Sequence, residues 1–271
     1  MKTLKELAED AFATVDSGYY RTKPKAALPH RSLVNSIKNK NGRAIICEIK
    51  FASPSAGKID GRYDQVSKIA EEMEQGGAAG LSVLTEPKNF GGSLANLTLA
   101  IETTNLPVIM KDVIVSEKQI DAAKSLGASA VLFIWEVFSE GYSQGFTLTE
   151  AIRAAREKGL DVIAETHSKE GLFEAGKLDC DIIGINNRDL KTFKTSIETT
   201  IDLLKESSIR NCVIMSESGF ETAADILHVT EKLKSLNAPV PVAFLIGTSI
   251  MKSRDVRSKV IEFAGTPFNV V

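Results

Sequence analysis

Glu48 and Lys50 stand two residues apart at the end of a strongly apolar run, Ile45-Ile46-Cys47, and lead at once into Phe51-Ala52-Ser53-Pro54-Ser55. Side chains on a strand alternate with period two, so Glu48 and Lys50 leave the backbone on one side and Ile49 on the other. A buried strand thus delivers a carboxylate and an ammonium to one place. Alone, this pair reads as an ion pair at a sheet edge. Later runs repeat the arrangement: Lys111-Asp112, Glu165, Asn186-Asn187-Arg188-Asp189 and Ser216-Glu217-Ser218-Gly219 each follow a short aliphatic stretch. Period-two counting aligns Ile109 with Lys111, Ile163 with Glu165, Gly184 with Asn186 and Met215 with Glu217, so each polar group continues an inward-facing row. Two lysines and three glutamates converging on one pocket form a set able to give and take protons.

Positioning such a set requires many strands ending at one place. The chain has eight candidate strands: Ala44-Glu48, Leu81-Leu84, Val108-Met110, Ala130-Ile134, Asp161-Ala164, Ile182-Ile185, Cys212-Met215 and Val242-Ile246. Amphipathic stretches at 64–76, 94–103, 117–126, 149–158, 169–176, 197–206, 221–234 and 253–263 follow them in turn. Eight strand-helix alternations predict an α/β fold, a (β/α)8 TIM barrel, whose chemistry sits at the C-terminal strand ends. No glycine-rich fingerprint follows the first strand, so a dinucleotide-binding sheet loses its main support. Ahead of the barrel, Leu4, Leu7, Ala8, Phe12 and Val15 have helical spacing, and Ser32 to Lys40 reads as a second short helix after a basic stretch, Arg21 to Pro29. We expect 1–43 to be an N-terminal helical extension packed on a barrel domain of 44–271, a single domain overall.

Composition excludes several function classes. The 271 residues are 43% hydrophobic and 25% charged with a net charge of -2, ordinary values that give no electrostatic reason for a nucleic-acid or membrane partner. No run approaches the ~20 apolar residues of a membrane span. Cys47, Cys180 and Cys212 are far apart and suit free thiols in a reducing compartment, so a cytoplasmic location is expected. His30, His167 and His228 show no metal-ligand spacing, so no metal or cofactor is expected.

Ser218-Gly219 and Gly247-Thr248-Ser249 follow the seventh and eighth strands, the loops where such barrels often hold a phosphate. Glycine admits close approach of an anion to the backbone, and hydroxyls and amides donate to it. Each loop alone reads equally well as a turn. The two together, on adjacent strands, favour a phosphorylated small-molecule substrate.

From about residue 44 to 255 the chain resembles the indole-3-glycerol-phosphate synthase family. The resemblance is carried by the order of Glu48-Ile49-Lys50-Phe51-Ala52-Ser53-Pro54-Ser55, Leu81-Ser82-Val83-Leu84-Thr85, Phe90-Gly91-Gly92-Ser93, Met110-Lys111-Asp112, Gly184-Ile185-Asn186-Asn187-Arg188-Asp189-Leu190, Ser216-Glu217-Ser218-Gly219 and Phe244-Leu245-Ile246-Gly247-Thr248. It implies metal-free closure of the indole ring of 1-(2-carboxyphenylamino)-1-deoxyribulose 5-phosphate with loss of CO2 and water, a step of tryptophan biosynthesis. By the same resemblance Lys111 is the general acid and Glu165 the general base. Lys50 binds the aryl carboxylate and protonates the departing hydroxyl; Glu48, Glu217 and Asn186 orient the lysines and the substrate hydroxyls; and Arg188 braces them. Ser53, Phe90 and Leu132 are implied to contact substrate, with Ser218, Gly219, Gly247 and Thr248 around its phosphate. The loop Phe51 to Gly61 is expected to close over the ligand. One departure stands out: Val113 follows Met110-Lys111-Asp112 where the family usually places Phe, removing an aromatic wall. Oligomeric partners are not legible.

Two other readings remain open on the residues. An isomerase acting on phosphoribosylanthranilate would need a Cys and an Asp as base and acid, but Cys47 has the opposite strand parity from Glu48 and Lys50. A catalytically silent sugar-phosphate binder is compatible with the fold, although it has little use for so many proton-transfer groups.

Overall fold

The computed structural model describes residues 2–23, 30–40, 43–54, 57–189, 192–207, 209, 212–236 and 242–265. Of the residues named from sequence, Pro29, Ser55 and Leu190 lie outside this set, as does most of the basic stretch before residue 30. Eight parallel strands form a closed barrel: β1 Ala44–Ile49, β2 Gly80–Leu84, β3 Val108–Lys111, β4 Ala130–Ile134, β5 Asp161–Thr166, β6 Ile182–Asn186, β7 Val213–Glu217 and β8 Val242–Ile246. Each strand pairs with its sequence neighbours, and β1 pairs with both β8 and β2. Closure leaves no edge, which resolves the unpaired backbone groups an open sheet would present.

Strand parity decides what goes where. Ala44, Ile46, Ile109, Leu132, Ile163, Ile182, Met215 and Leu245 share one cluster inside the barrel. Cys47, Ile49, Met110, Val131, Phe133, Ile185 and Ile214 face the other way, into the layer between strands and helices. Register then sets Glu165 beside Gly184, Asn186 beside Glu217, and Glu217 beside Leu245. Polar residues therefore continue the apolar interior rows upward. Several strands run further than their apolar stretches: Lys111, Glu165, Thr166, Asn186 and Glu217 are all strand residues. Ladder pairing extends past the point where apolar sequence stops, because the carboxylates are buried against cations rather than released to water.

The two N-terminal helices attach at opposite ends of the barrel. Helix α1, Leu4–Asp16, begins with a capping box between Thr3 and Glu6, and its Leu7, Ala8 and Ala11 pack with Val113, Val115 and Val137 on the catalytic side. Helix α2, Leu33–Lys38, inserts Leu33 and Ile37, both fully buried, into the interior cluster with Ala44, Ile46 and Ala79. Asp161 at the start of β5 fixes this plug by accepting the Leu33 main-chain N–H at 2.7 Å. Helices follow every strand as expected, with bounds within a few residues. Two short ones, Trp135–Ser139 after β4 and Thr248–Met251 after β8, were not anticipated, nor was the small hairpin pairing Ala52 with Lys58. A helix of four or five residues is little more than one turn and a two-residue strand has no alternation, so neither carries a readable period.

Candidate active site

Lys111, the last residue of β3, is the centre of the charged layer. Its Nζ lies 2.6 Å from Glu217 Oε2, 3.3 Å from Glu165 Oε2 and 3.6 Å from Glu48 Oε2. Lys50, one residue beyond β1, meets Glu48 Oε1 at 2.5 Å. The Asn186 amide donates to Glu165 Oε1 at 2.9 Å, and the Arg188 main-chain N–H donates to Asn186 Oδ1 at 3.0 Å. Exposure divides the set. The glutamate side chains are 0–3% exposed, whereas Lys111 and Lys50 keep 16% and 18%. The ammoniums face the cavity, Glu48 and Glu165 border it while staying nearly buried, and Glu217 sits behind them. Two glycines make room for this: a Cβ on Gly184 would overlap Glu217 Oε1, and one on Gly247 would lie 2.6 Å from Glu48 Oε1.

Three carboxylates against two ammoniums leave one negative charge unbalanced, and a buried site resolves such an excess by binding a proton. The Glu217 carboxyl stands at about 8: burial raises it, Glu165 adds to the rise, and the opposing pull of Lys111 only partly offsets them. Among the described residues no donor reaches Glu217 Oε1, which leaves that oxygen free to carry the proton. For Lys111 burial works against the ammonium, but Glu217, Glu165 and Glu48 together outweigh it and hold it well above its ordinary value. Glu48 is likewise subject to burial, which would raise it, yet Lys50 and Lys111 bring it below the usual carboxylate range.

The charged layer opens into a cavity of about 650 Å³ with two unlike walls. One is apolar: Leu4 and Leu7 of α1, Phe90, Val113 and Ile134. The other carries Ser218, Gly219, Gly247, Thr248 and Ser249, with Ser53 and Arg188 also lining the space. Ser218 and Gly219 both have positive φ, 71° and 92°, and a Cβ on Gly219 would lie 2.9 Å from Thr195 Cγ2. Glycine is therefore required at 219 on two grounds. Asn187 holds the turn from beneath, donating to the Ser218 carbonyl at 3.0 Å and to Ser216 Oγ at 3.1 Å, while its Oδ1 accepts from Thr200 Oγ1 at 2.8 Å.

Buried polar groups beyond this centre support it. Asp112 Oδ2 accepts from Tyr20 OH at 2.9 Å and Thr85 Oγ1 at 2.5 Å, and Oδ1 accepts from the Val113 N–H at 2.8 Å. Tyr20 lies just beyond α1, so this contact ties the N-terminal segment to the residue after Lys111. Burial raises the Asp112 carboxyl to about 6, the Thr85 and Tyr20 hydrogen bonds working against that rise and Glu86 with it. Glu136, after β4, accepts from Thr166 Oγ1 at 2.8 Å and lies 3.0 Å from His167 Nδ1. Burial lowers the His167 imidazole, but Glu136, with Asp189 and Glu165 adding to it, raises it overall.

The indole-3-glycerol phosphate synthase family model matches residues 3–263. The chain belongs to the indole-3-glycerol phosphate synthase family. Relatives bearing that name include one from Methanocaldococcus jannaschii, 43% identical over 220 residues, covering 81% of this chain and 77% of its own length. Another, from Caldanaerobacter subterraneus subsp. tengcongensis, is 43% identical over 221 residues, 82% of this chain and 80% of its own. Among solved structures, an N-acetylmannosamine-6-phosphate 2-epimerase from Clostridium perfringens superposes with a TM-score of 0.60 at 16% identity, covering 84% of this chain and 94% of its own. A tryptophan synthase structure from M. tuberculosis gives 0.59 at 10% identity, covering 86% and 96%. Identities this low show the barrel fold alone.

Within the synthase family framework, the structure brings Glu48, Lys50, Lys111, Glu165, Asn186 and Glu217 together. Ser53, Phe90, Arg188, Ser218, Gly219, Gly247 and Thr248 line the same cavity. Leu132 is placed elsewhere. It is fully buried in the barrel interior with Ile109 and Ile163, one layer below the mouth, and Ile134 two residues on takes the wall position. Same-face residues on a strand step by two, so naming the right row still left the depth one step short. Sequence reasoning missed Leu4 and Leu7 as wall residues, although their spacing marked an apolar face. It also missed the support given by Asn187, whose side chain faces away from the mouth.

Proposed function

We propose that this chain closes the indole ring of 1-(2-carboxyphenylamino)-1-deoxyribulose 5-phosphate, giving indole-3-glycerol phosphate, CO2 and water, with Lys111 as general acid. The observation that carries the reading is the Lys111 ammonium held among Glu48, Glu165 and Glu217 at the floor of a cavity with one apolar wall and one glycine-hydroxyl wall. An ammonium kept well above its usual pKa stays loaded until a stronger base appears beside it. The alkoxide developing at the ribulosyl C2 oxygen, as the aryl carbon bearing the carboxylate attacks C2, is such a base. Decarboxylation then restores the aromatic ring. Lys50, facing the cavity, neutralises the aryl carboxylate beforehand and afterwards gives a proton to the C2 hydroxyl as it leaves as water. Glu165 takes the proton lost from ribulosyl C1, with its carboxylate aimed by the Asn186 amide.

The cavity walls suit the two ends of this substrate. Phe90, Ile134, Val113, Leu4 and Leu7 form the aryl side, where the leucines of α1 supply apolar surface beside the small Val113. The turn at Ser218-Gly219 and the start of the helix at Gly247-Thr248 receive the phosphate through amides and hydroxyls, with Arg188 adding charge. On this reading 1–43 is an extension of the barrel that caps its mouth with α1. Free thiols at Cys47, Cys180 and Cys212 favour the cytoplasm.

The isomerase alternative lacks a cysteine base at the mouth, since Cys47 is fully buried on the helix side of β1 and burial pushes its thiol up. The silent-binder alternative is separated by turnover. Purified protein given the carboxyphenylamino substrate is expected to generate indole absorbance with stoichiometric CO2. Tight binding of a reduced substrate analogue with no indole formed would refute the enzyme reading.

A further inference from the structure

Glu86 is an acid that the proposed chemistry does not use, yet it is only 1% exposed and borders the cavity. Its carboxylate is directed at its own loop. Oε1 accepts from the Lys88 main-chain N–H at 3.0 Å, and Oε2 accepts from those of Asn89 at 2.6 Å and Phe90 at 3.1 Å. Three consecutive amides converging on one ionised group fix the backbone that carries Phe90, because charge-assisted hydrogen bonds are both short and strong. The loop is held from other directions as well. The Gly92 N–H donates to the Glu86 carbonyl at 2.9 Å, and a Cβ on Gly92 would overlap the Leu84 carbonyl. Asn89 Nδ2 reaches Asp10 of α1 at 3.0 Å. The Phe90 carbonyl accepts from the Ala52 N–H at 3.1 Å, immediately before Ser53. One buried carboxylate thus sits where α1, the β1 loop and the Phe90 wall meet.

We infer that Glu86 is a positioning residue for the aryl subsite: it holds Phe90, and through the Phe90 carbonyl the start of the β1 loop, in the geometry that receives the aromatic ring. The inference rests on the ring-closing reading of the site and adds a specificity role that touches neither the proton transfers nor the phosphate. Glutamine in its place keeps the shape but turns an NH2 toward main-chain N–H donors, so at least one amide loses its acceptor. Even with its oxygen kept on the Asn89 and Phe90 amides, glutamine leaves the Lys88 N–H facing an NH2, and the loop that carries Phe90 shifts. Contacts to an unreacting part of the substrate are uniform in ground and transition state, and their loss raises KM with little change in kcat.

The test is a kinetic and binding comparison of wild type, Glu86→Gln, Phe90→Leu and the double variant. Glu86→Gln is expected to raise KM about tenfold with kcat within about twofold. It should weaken a reduced, aryl-bearing substrate analogue by a similar factor, while ribulose 5-phosphate, which lacks the ring, keeps its wild-type affinity. In the Phe90→Leu background the same substitution should change KM by less than about twofold, since residues acting through one contact are not additive. The inference is overturned by an unchanged KM, by equal weakening of ribulose 5-phosphate, by a kcat loss as large as the KM rise, or by effects that multiply in the double variant. If Glu86→Gln does not fold, Glu86→Asp, which keeps the charge but retracts it from the amides, is read by the same criteria. Absence of indole product from wild type would remove the functional reading instead, and the analogue against ribulose 5-phosphate comparison would still decide the role of Glu86.

Discussion

Replacing Lys111 with Met removes the cation around which three buried carboxylates are gathered, with two separable consequences. The first is catalytic. Loss of a positioned general acid lowers kcat by roughly 10²–10⁴-fold, whereas the phosphate and aryl contacts remain and a reduced analogue should bind within several-fold of wild type. The second is a pH-dependent loss of stability. Breaking a buried ion pair costs about 3–5 kcal/mol, and at roughly 2–4 °C per kcal/mol for a chain near this size the melting temperature should fall by about 10 °C. That loss has a sign in pH. Glu217 stands at about 8 against an ordinary 4.5, burial and Glu165 raising it against the pull of Lys111, so losing that cation lifts it further. Without Lys111 the folded carboxylates hold protons more tightly than the unfolded ones, so stability falls as pH rises from the unfolded carboxyl value through the folded one. The variant's deficit against wild type should therefore be smaller at pH 5 than at pH 8 and still growing as pH rises past 8. Indole absorbance, analogue titration and melting at both pH values measure the three quantities. A variant that keeps more than about a tenth of wild-type kcat, or a deficit equal at the two pH values, would refute the reasoning.

Other perturbations probe the frame around the charged layer. Gly184→Ala places a Cβ on Glu217 Oε1 and must displace the carboxylate beside Lys111; kcat should fall at least about tenfold while analogue binding changes little, and unaltered kcat would contradict the packing. Gly219→Ala combines a positive φ with a close contact to Thr195, so KM should rise and affinity for ribulose 5-phosphate should drop by about tenfold or more if the turn holds phosphate. Asp112, raised to about 6 by burial, makes the folded state lose stability relative to an uncharged isostere as pH climbs from about 4 to 6. Melting of Asp112→Asn against wild type should therefore shift in the variant's favour across that window, and a constant difference would mean the carboxyl is not perturbed.

The strand rows were legible because alternation is local: Ile109 with Lys111 and Met215 with Glu217 needed only parity. Convergence of the rows followed from the eightfold repeat, since a closed barrel directs every C-terminal strand end to one mouth. Depth was not legible. Leu132 and Ile134 share a row, and only register decides which of them meets the cavity. The glycines of strand and loop also hid their purpose, as nothing near Gly184 in sequence announces that Glu217, more than thirty residues on, needs the space where a Cβ would be. Nor did the helical spacing of Leu4 and Leu7 say which part of the barrel their stripe would cover. Glu86 illustrates the same limit. Its burial is due to three amides of its own loop, which a sequence shows only as a charged residue before Pro87.

The account depends most on the Lys111 ammonium standing beside the oxygen that becomes the alkoxide, and a crystal structure of the wild-type protein with a reduced substrate analogue tests this directly. The analogue's C2 oxygen is predicted within hydrogen-bond distance of Lys111 Nζ, its aryl carboxylate on Lys50, its ring against Phe90 and Ile134, and its phosphate on the Gly219 and Gly247 turns. An analogue bound with its phosphate among the lysines, or with its C2 oxygen out of reach of Lys111, would contradict it.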